Sequence, residues 1–269
     1  MRVSLLRVAA IVLRQYYLIR GSITRTVPMF IWITIDIVLW GFITKYLNAV
    51  ASSGFDFVPV LLGAVLLWDF FTRVMQGVTM AFFEDVWSRN FLNIFASPLT
   101  ITEYLAGLVL TSIATSTVGL TVMIGLAVAA FGLSFVSYGL TLLVLVLVLF
   151  VFGIAVGVAG CAVVLRFGPS AEWFVWPISA LLAPFAGVFY PLTVLPRWMQ
   201  AIAVTLPPSH VFEGLRAVVT GGTVVPARLA FAAVLAVGYL LAACWLFTRV
   251  YRQAVRTGLI ARYSAETLA

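Results

Sequence analysis

Residues 138–165 read YGLTLLVLVLVLFVFGIAVGVAGCAVVL, a run of 28 positions without a charged side chain. A helix needs about 20 apolar residues to cross the hydrocarbon core of a bilayer, because each residue adds about 1.5 Å. This run exceeds that length, and no polar face interrupts it. The sequence therefore predicts that this segment is a helix that crosses a membrane.

Further apolar segments on both sides of this run have similar length and composition. The chain has 269 residues, of which 64% are hydrophobic and 9% charged, and its mean hydropathy is +1.15. A soluble globular protein carries about 25% charged residues. We therefore predict an all-α integral membrane protein with six transmembrane helices at 27–47, 58–81, 102–131, 138–165, 172–190 and 229–248.

The arginines indicate how these spans are oriented. Three arginines lie in the alternate loops 48–57, 132–137 and 191–228, whereas eleven lie in the segments 1–26, 82–101, 166–171 and 249–269. Basic loops remain in the cytoplasm. We therefore expect both termini to be cytoplasmic, with 249–269 as a basic tail. The net charge of +7 then reflects topology and does not indicate a nucleic-acid partner.

Residues 1–26 are too charged to cross a bilayer. Written as a helix, the segment places Arg7 and Arg14 on one face and a set of mostly apolar residues on another: Val3, Leu6, Ala10, Leu13 and Tyr17. This pattern is typical of an amphipathic helix that lies in the membrane interface. A plain basic tail that only fixes the topology is the alternative.

Two loops carry their own helical signals. Segment 84–98 begins with acidic residues, repeats aromatic residues at helical spacing and ends at Pro98, which predicts a short cytoplasmic helix. Segment 191–228 contains prolines, glycines and two apolar stretches, Trp198–Leu206 and Val211–Val219, that are too short to cross. We expect this segment to form a re-entrant or interfacial hairpin on the outer side.

Several kinds of catalytic site are incompatible with the sequence. A P-loop needs a lysine followed by serine or threonine, and the single lysine, Lys45, is followed by Tyr46. This chain therefore cannot carry its own ATP site of the P-loop kind. His210 is the single histidine, so metal motifs that need two histidines are excluded.

Charged residues inside the predicted spans are candidates for function, because burying a charge in a bilayer is costly. Asp69 and Arg73 are four residues apart and share a helix face, so we expect them to form an ion pair. Asp36 has no neighbour in sequence and needs a partner elsewhere or a proton. These three residues either line a polar pathway or subunit interface, or only fix helix packing.

His210, Glu213 and Arg216 also share one helix face, in the predicted outer loop. They could form an outer gate, or they could be a solvated face with a local ion pair. The pattern of residue types and spacings does not distinguish these alternatives.

Two blocks of sequence resemble the type-2 family of ATP-binding-cassette (ABC) transporter permeases. The first is EDVWSRNFLNIFASPL at 84–99, which is similar to the family's coupling segment. The second is YPLTVLPRWMQ at 190–200 followed by PPSHVFEGLR at 207–216, which is similar to the family's outer re-entrant hairpin. One departure is that Asn90 and Phe91 follow Arg89, where many members have a Gly-Thr pair.

The resemblance implies a permease domain over 27–248 that works in the bacterial cytoplasmic (inner) membrane. It implies two separate ABC ATPase subunits, which carry ATP and magnesium, and a second copy of this chain or a related permease. No cofactor is expected on this chain. The outer gate would then include Tyr190, and coupling to the ATPase would fall to Glu84, Trp87, Arg89, Phe91 and Phe95.

The substrate expected from the resemblance is amphipathic, drug-like or a lipid-linked glycan. Two alternative functions remain open. A proton-coupled secondary transporter would use a buried carboxylate such as Asp36, and often shows broken spans. A membrane-embedded lipid-modifying enzyme would need several convergent polar side chains at one depth, and the sequence offers no such cluster.

Overall fold

The computed structural model describes residues 4–50, 58–88, 90–133 and 138–258. This part of the chain is predominantly helical and contains no strand. We number the α-helices in chain order. The amino-terminal half holds α1 (Leu5–Arg20), α2 (Ile23–Val50), α3 (Gly63–Trp87), α4 (Phe91–Ala96) and α5 (Ile101–Phe131). The other half holds α6 (Gly139–Phe167), α7 (Glu172–Val175), α8 (Ile178–Ala186), α9 (Arg197–Val204), α10 (Pro207–Val219) and α11 (Pro226–Arg256).

Five helical segments in the described part of the chain are long and apolar enough to cross a membrane. They are Phe30–Val50, Val58–Trp87, Ile101–Phe131, Gly139–Phe167 and Pro226–Arg256. The second includes a π-helical turn at Val58–Leu62 that leads into α3. The all-helical fold is confirmed, and these candidate spans coincide with five of the six predicted ones. The longest helices have 31 residues, or about 46 Å, so they exceed the ~30 Å hydrocarbon core.

The predicted span at 172–190 is not one continuous helix. The short α7 ends before Pro177, and α8 runs from Ile178 to Ala186. Proline has no amide hydrogen to continue a helix, and Gly187 then ends α8 in the left-handed conformation at φ 60°. The structure therefore has a broken segment where the sequence predicted the fifth span.

Helices α3, α6 and α11 form the core. An added Cβ atom on Gly157 of α6 would lie 2.9 Å from the carbonyl oxygen of Met75 on α3. Such an atom on Gly153 would lie 2.9 Å from Val74. These glycines therefore let the backbones of α3 and α6 approach closely, and the fully buried Phe247 of α11 lies against Phe82 of α3.

Helix α1 packs mainly on α5 and α2. Its buried residues are Val8, Ile11 and Gln15. The set predicted from the sequence as the apolar face is exposed, at Leu6, Ala10, Leu13 and Tyr17. Helix α1 therefore packs inwards through Val8, Ile11 and Gln15 and turns the predicted apolar face away from the rest of the protein. Val3 of that predicted face lies outside the described residues.

The predicted outer segment 191–228 contains two short helices, α9 and α10, close to the two expected apolar stretches. Helix α10 packs on α6 and α11 and buries Val211, Phe212 and Leu215. The predicted basic tail begins earlier than the helix ends, because α11 continues through Arg256. Residues 259–269 of that tail lie outside the described part of the chain.

Candidate functional site

A buried carboxylate joins three helices where α3 ends. Asp85 is fully buried in the last turn of α3. Arg14 of α1 donates hydrogen bonds to both of its carboxylate oxygens, one of them from Nη1 to Oδ2 at 3.1 Å. The hydroxyl of Tyr104 on α5 donates to Oδ2 at 2.7 Å. The hydrogen bond to Asp85 raises the pKa of Arg14, so the guanidinium stays charged.

A second carboxylate fastens the start of α1 to the start of α5. Glu103 is fully buried and accepts hydrogen bonds from the backbone N–H groups of Ser4, at 2.7 Å, and Thr100, at 2.8 Å. The Thr100 hydroxyl accepts from the Glu103 N–H, which completes a capping box. Arg7 lies 3.5 Å from the same carboxylate. Both arginines that the sequence placed on one face of α1 therefore meet buried acids.

The predicted coupling helix at 84–98 is divided in the structure. Glu84 and Trp87 belong to the last turns of α3, whereas residues 91–96 form α4. The Asn90 N–H donates to the carbonyl of Asp85 at 3.1 Å across the turn between them. The acidic residues at 84–85 had suggested that a new helix begins there, but α3 continues through Trp87 and so takes up the first four residues of the predicted coupling helix.

The proposed coupling residues are only partly within the described part of the chain. Trp87 is exposed over 46% of its surface, and its Nε1 donates to Oε2 of Glu172, at the start of α7, at 2.8 Å. Arg89 lies outside the described residues, as do the side chains of Phe91 and Phe95, although the backbone of α4 includes the last two. Glu84 is half-buried.

Asp69 and Arg73 form the predicted ion pair on α3, with Nε of Arg73 2.8 Å from Oδ2 of Asp69. Both side chains are mostly buried. Asp36 on α2 is half-buried, and the positive charge of Arg73 acts on it as well as on Asp69. Asp36 therefore lies close enough to the Asp69–Arg73 pair for the charge of Arg73 to influence it.

The residues predicted as an outer gate are not joined in one hydrogen-bond network among the described contacts. Glu213 accepts from the Leu192 N–H at 3.0 Å and pairs with Nη2 of Arg216 at 2.9 Å. Arg216 also donates to the carbonyls of Gly187, at 2.8 Å, and Val188, at 3.4 Å. Together these two side chains hold the chain after α8 against α10.

The other two predicted gate residues have separate contacts. A ring nitrogen of His210 lies 2.9 Å from the carbonyl oxygen of Val204, and its ring meets Phe231 edge-on. The Tyr190 hydroxyl donates to the carbonyl of Pro184 at 2.9 Å. The described contacts of all four residues are therefore to neighbouring backbone and side chains within the same end of the fold.

Sequence reasoning missed both groups, the one that joins Arg14, Asp85 and Tyr104 and the one around Glu103. The one signal available in advance was the Thr100…Glu103 spacing, which is that of a capping box. It locates the start of α5, but it does not identify the partners on α1.

Comparison with known proteins supports the resemblance found in the sequence. The ABC-2 type transporter family matches residues 9–220. This match runs from α1 to the end of α10, and it includes Asp85, Glu103 and the Asp69–Arg73 pair. No curated protein matches the chain. With its five long apolar helices, the chain is a multi-pass membrane protein, and it belongs to the ABC-2 type transporter family of membrane transport components.

Proposed function

We propose that the chain is the membrane-spanning permease subunit of an ATP-driven exporter, powered by separate ABC ATPase subunits. The observation that carries this proposal is the family match together with the buried Asp85, which ties the α3–α4 junction to α1 and α5. A junction held in this way can pass a movement of α4 to several helices at once.

The coupling step follows from these connections. We assign the surface of Glu84, Trp87, Arg89, Phe91 and Phe95 to the contact with the ATPase. Trp87 links that surface to Glu172 and so to the start of the broken segment α7–α8. Closure of the ATPase pair around ATP would then rock α3, α5 and α7–α8 as connected bodies.

The proposed topology keeps six crossings, with α7 and α8 together forming the broken fifth one. Interrupted helices are tolerated at membrane depth where other parts of the protein cover them. The outward apolar face of α1 supports its placement in the membrane interface. The arginine distribution supports cytoplasmic termini in a bacterial inner membrane, with α9 and α10 on the outer side as the re-entrant hairpin.

The proposed transport path lies between two copies of the permease, or between this chain and a related one. An exposed apolar surface on α2 supports this pairing, with Ile35, Leu39 and Phe42 among its residues. Asp36 lies on the same helix as that surface and Asp69 and Arg73 lie on α3, and the three residues would form a polar part of the path or interface. A path that is lined by both apolar and charged side chains suits an amphipathic, drug-like or lipid-linked glycan substrate.

Purification of the tagged chain in mild detergent tests the partner assignment. We expect a P-loop ATPase to co-purify in about equal amount, and the purified complex to hydrolyse ATP. If the chain purifies without an ATPase and transport follows a proton gradient, the secondary-transporter alternative is correct, and Asp36→Asn is the first variant to examine.

A matched pair of variants tests the coupling surface. Trp87→Asp places a charge on the proposed docking surface, and Trp198→Asp does the same on an exposed tryptophan of α9. We expect Trp87→Asp to abolish substrate-stimulated ATP hydrolysis while the chain still purifies as a folded protein. Trp198→Asp should leave this stimulation unchanged. Equal stimulation in both variants would show that Trp87 does not contribute to coupling.

A further inference from the structure

The last two turns of α11 carry a basic cleft that the proposed transport mechanism does not use. Arg249, Arg252 and Arg256 are three and four residues apart, so they share one face of the helix. They line an open cleft of about 650 Å³, whose other lining residues are Cys244, Trp245, Thr248 and Gln253. No acidic side chain contributes to the described lining.

The positive charge of this cleft is not neutralised within the described part of the chain. The guanidinium groups of Arg252 and Arg256 make no hydrogen bond or ion pair there, and Arg249 lies over the Trp245 ring at 5.3 Å. Arg166 of α6 donates to Oε1 of Gln253 at 2.9 Å. Packing of α6 against α11 therefore brings a fourth arginine to the edge of the cleft.

The same face of α11 is apolar immediately before the arginines. Val234, Leu241 and Trp245 precede Arg249 at spacings of seven and four residues, and they are exposed over 70%, 66% and 62% of their surfaces. One continuous helix face thus changes from apolar to basic within about one turn. The apolar part and the arginines belong to one helix that is long enough to cross a membrane, and the arginines lie at its carboxyl-terminal end.

We propose that this cleft binds the phosphate of an anionic phospholipid. Guanidinium groups bind phosphate oxygens through paired, charge-assisted hydrogen bonds. Trp245 lies one turn before Arg249, as expected for an aromatic residue at the level of the headgroups. The exposed strip at Val234 and Leu241 would receive the acyl chains. A free phosphate ion or a hydrophilic polyanion would make no use of that strip.

Retention of added lipid by the detergent-purified protein, measured by native mass spectrometry, tests this proposal. Phosphatidylglycerol and phosphatidylcholine with matched acyl chains are the probes: both carry a phosphate, but the choline cation makes phosphatidylcholine neutral overall, whereas phosphatidylglycerol is an anion. The test variant is Arg252→Gln with Arg256→Gln. The control variant is Arg197→Gln with Arg228→Gln, which removes the same charge from exposed arginines elsewhere.

We expect the wild-type protein to retain phosphatidylglycerol in preference to phosphatidylcholine. The test variant should bind phosphatidylglycerol about thirtyfold more weakly, since each basic residue near a membrane surface contributes about 1 kcal/mol. The control variant should bind it as the wild type does. Arg252→Lys with Arg256→Lys keeps the charge but loses the paired hydrogen bonds of the guanidinium groups, so its affinity for phosphatidylglycerol should lie between those of the test variant and the wild type.

Two results would overturn the proposal. Equal weakening in the test and control variants would mean that only the net charge of the protein matters. Displacement of bound phosphatidylglycerol by millimolar inorganic phosphate would mean that the cleft is a site for the free ion. Neither result bears on the ATPase partner, so the outcome is separate from the proposed transport function.

Discussion

The link between α1 and α3 predicts an unusual order of stability among three variants. Arg14→Met removes the guanidinium and leaves the carboxylate of Asp85 fully buried, with the Tyr104 hydroxyl as its remaining side-chain donor among the described contacts. Asp85→Asn removes the negative charge but leaves Arg14, whose side chain is 29% exposed and can reach water. The double variant removes both charges. We expect it to be more stable than Arg14→Met alone.

The expected magnitudes follow from burial. Removing one partner of a buried ion pair costs about 3–5 kcal/mol, and the lower end applies to Arg14→Met because this pair is partly exposed on one side. Asp85→Asn loses charge-assisted hydrogen bonds worth about 1.5 kcal/mol. The double variant should lose about 1.5–2 kcal/mol. At about 2–4 °C per kcal/mol, Arg14→Met lowers Tm by about 6–12 °C and the double variant by about 3–8 °C.

Thermal unfolding in one detergent, followed by tryptophan fluorescence, measures this order. The three variants and the wild type should be compared at one protein concentration and one heating rate, because membrane proteins often unfold irreversibly. The reasoning fails if adding Asp85→Asn to Arg14→Met lowers Tm further. In that case Asp85 would not be a buried charge that depends on Arg14.

Two further predictions concern packing and the chain after α8. Gly157→Ala should destabilise the protein by about 1–3 kcal/mol, because the new methyl group meets the backbone of α3. Gly238→Ala is the control, since its added Cβ would meet no neighbouring atom within 4 Å. The Tm of this control should stay the same or rise. Arg216→Met should speed hydrogen exchange at residues 187–192 by about tenfold, because two carbonyl contacts are lost. Arg197→Met, at an exposed arginine, is the control and should leave this exchange unchanged. If residues 187–192 exchange as slowly in Arg216→Met as in the wild type, Arg216 does not hold this segment.

Hydropathy predicted the long helices well because each crosses the bilayer independently of its neighbours. It failed at 172–190, where composition is apolar throughout but Pro177 and Gly187 determine the local backbone. Average hydropathy does not register a single residue that interrupts a helix. A proline inside an apolar run is in any case compatible with a kink as well as a break.

The site was predictable only where partners are close in sequence. The Asp69–Arg73 pair follows from a spacing of four residues and is confirmed. Asp85 and Arg14 are 71 positions apart, so no local pattern connects them. The helix face that Glu213 shares with His210 did not predict the contacts of Glu213. Its carboxylate accepts a hydrogen bond from the Leu192 N–H, and no described hydrogen bond joins it to His210. Tertiary packing alone determines such contacts.

The long separations that join α1 to the rest of the protein also set an order of events during synthesis. Arg14 leaves the ribosome 71 residues before Asp85, and Ser4 leaves it 99 residues before Glu103. At about 5–20 residues per second, α1 waits roughly 4–20 s for the acids that hold it. Its outward apolar face allows the helix to rest on the membrane surface during that interval, so that its arginines remain available until α3 and α5 are inserted.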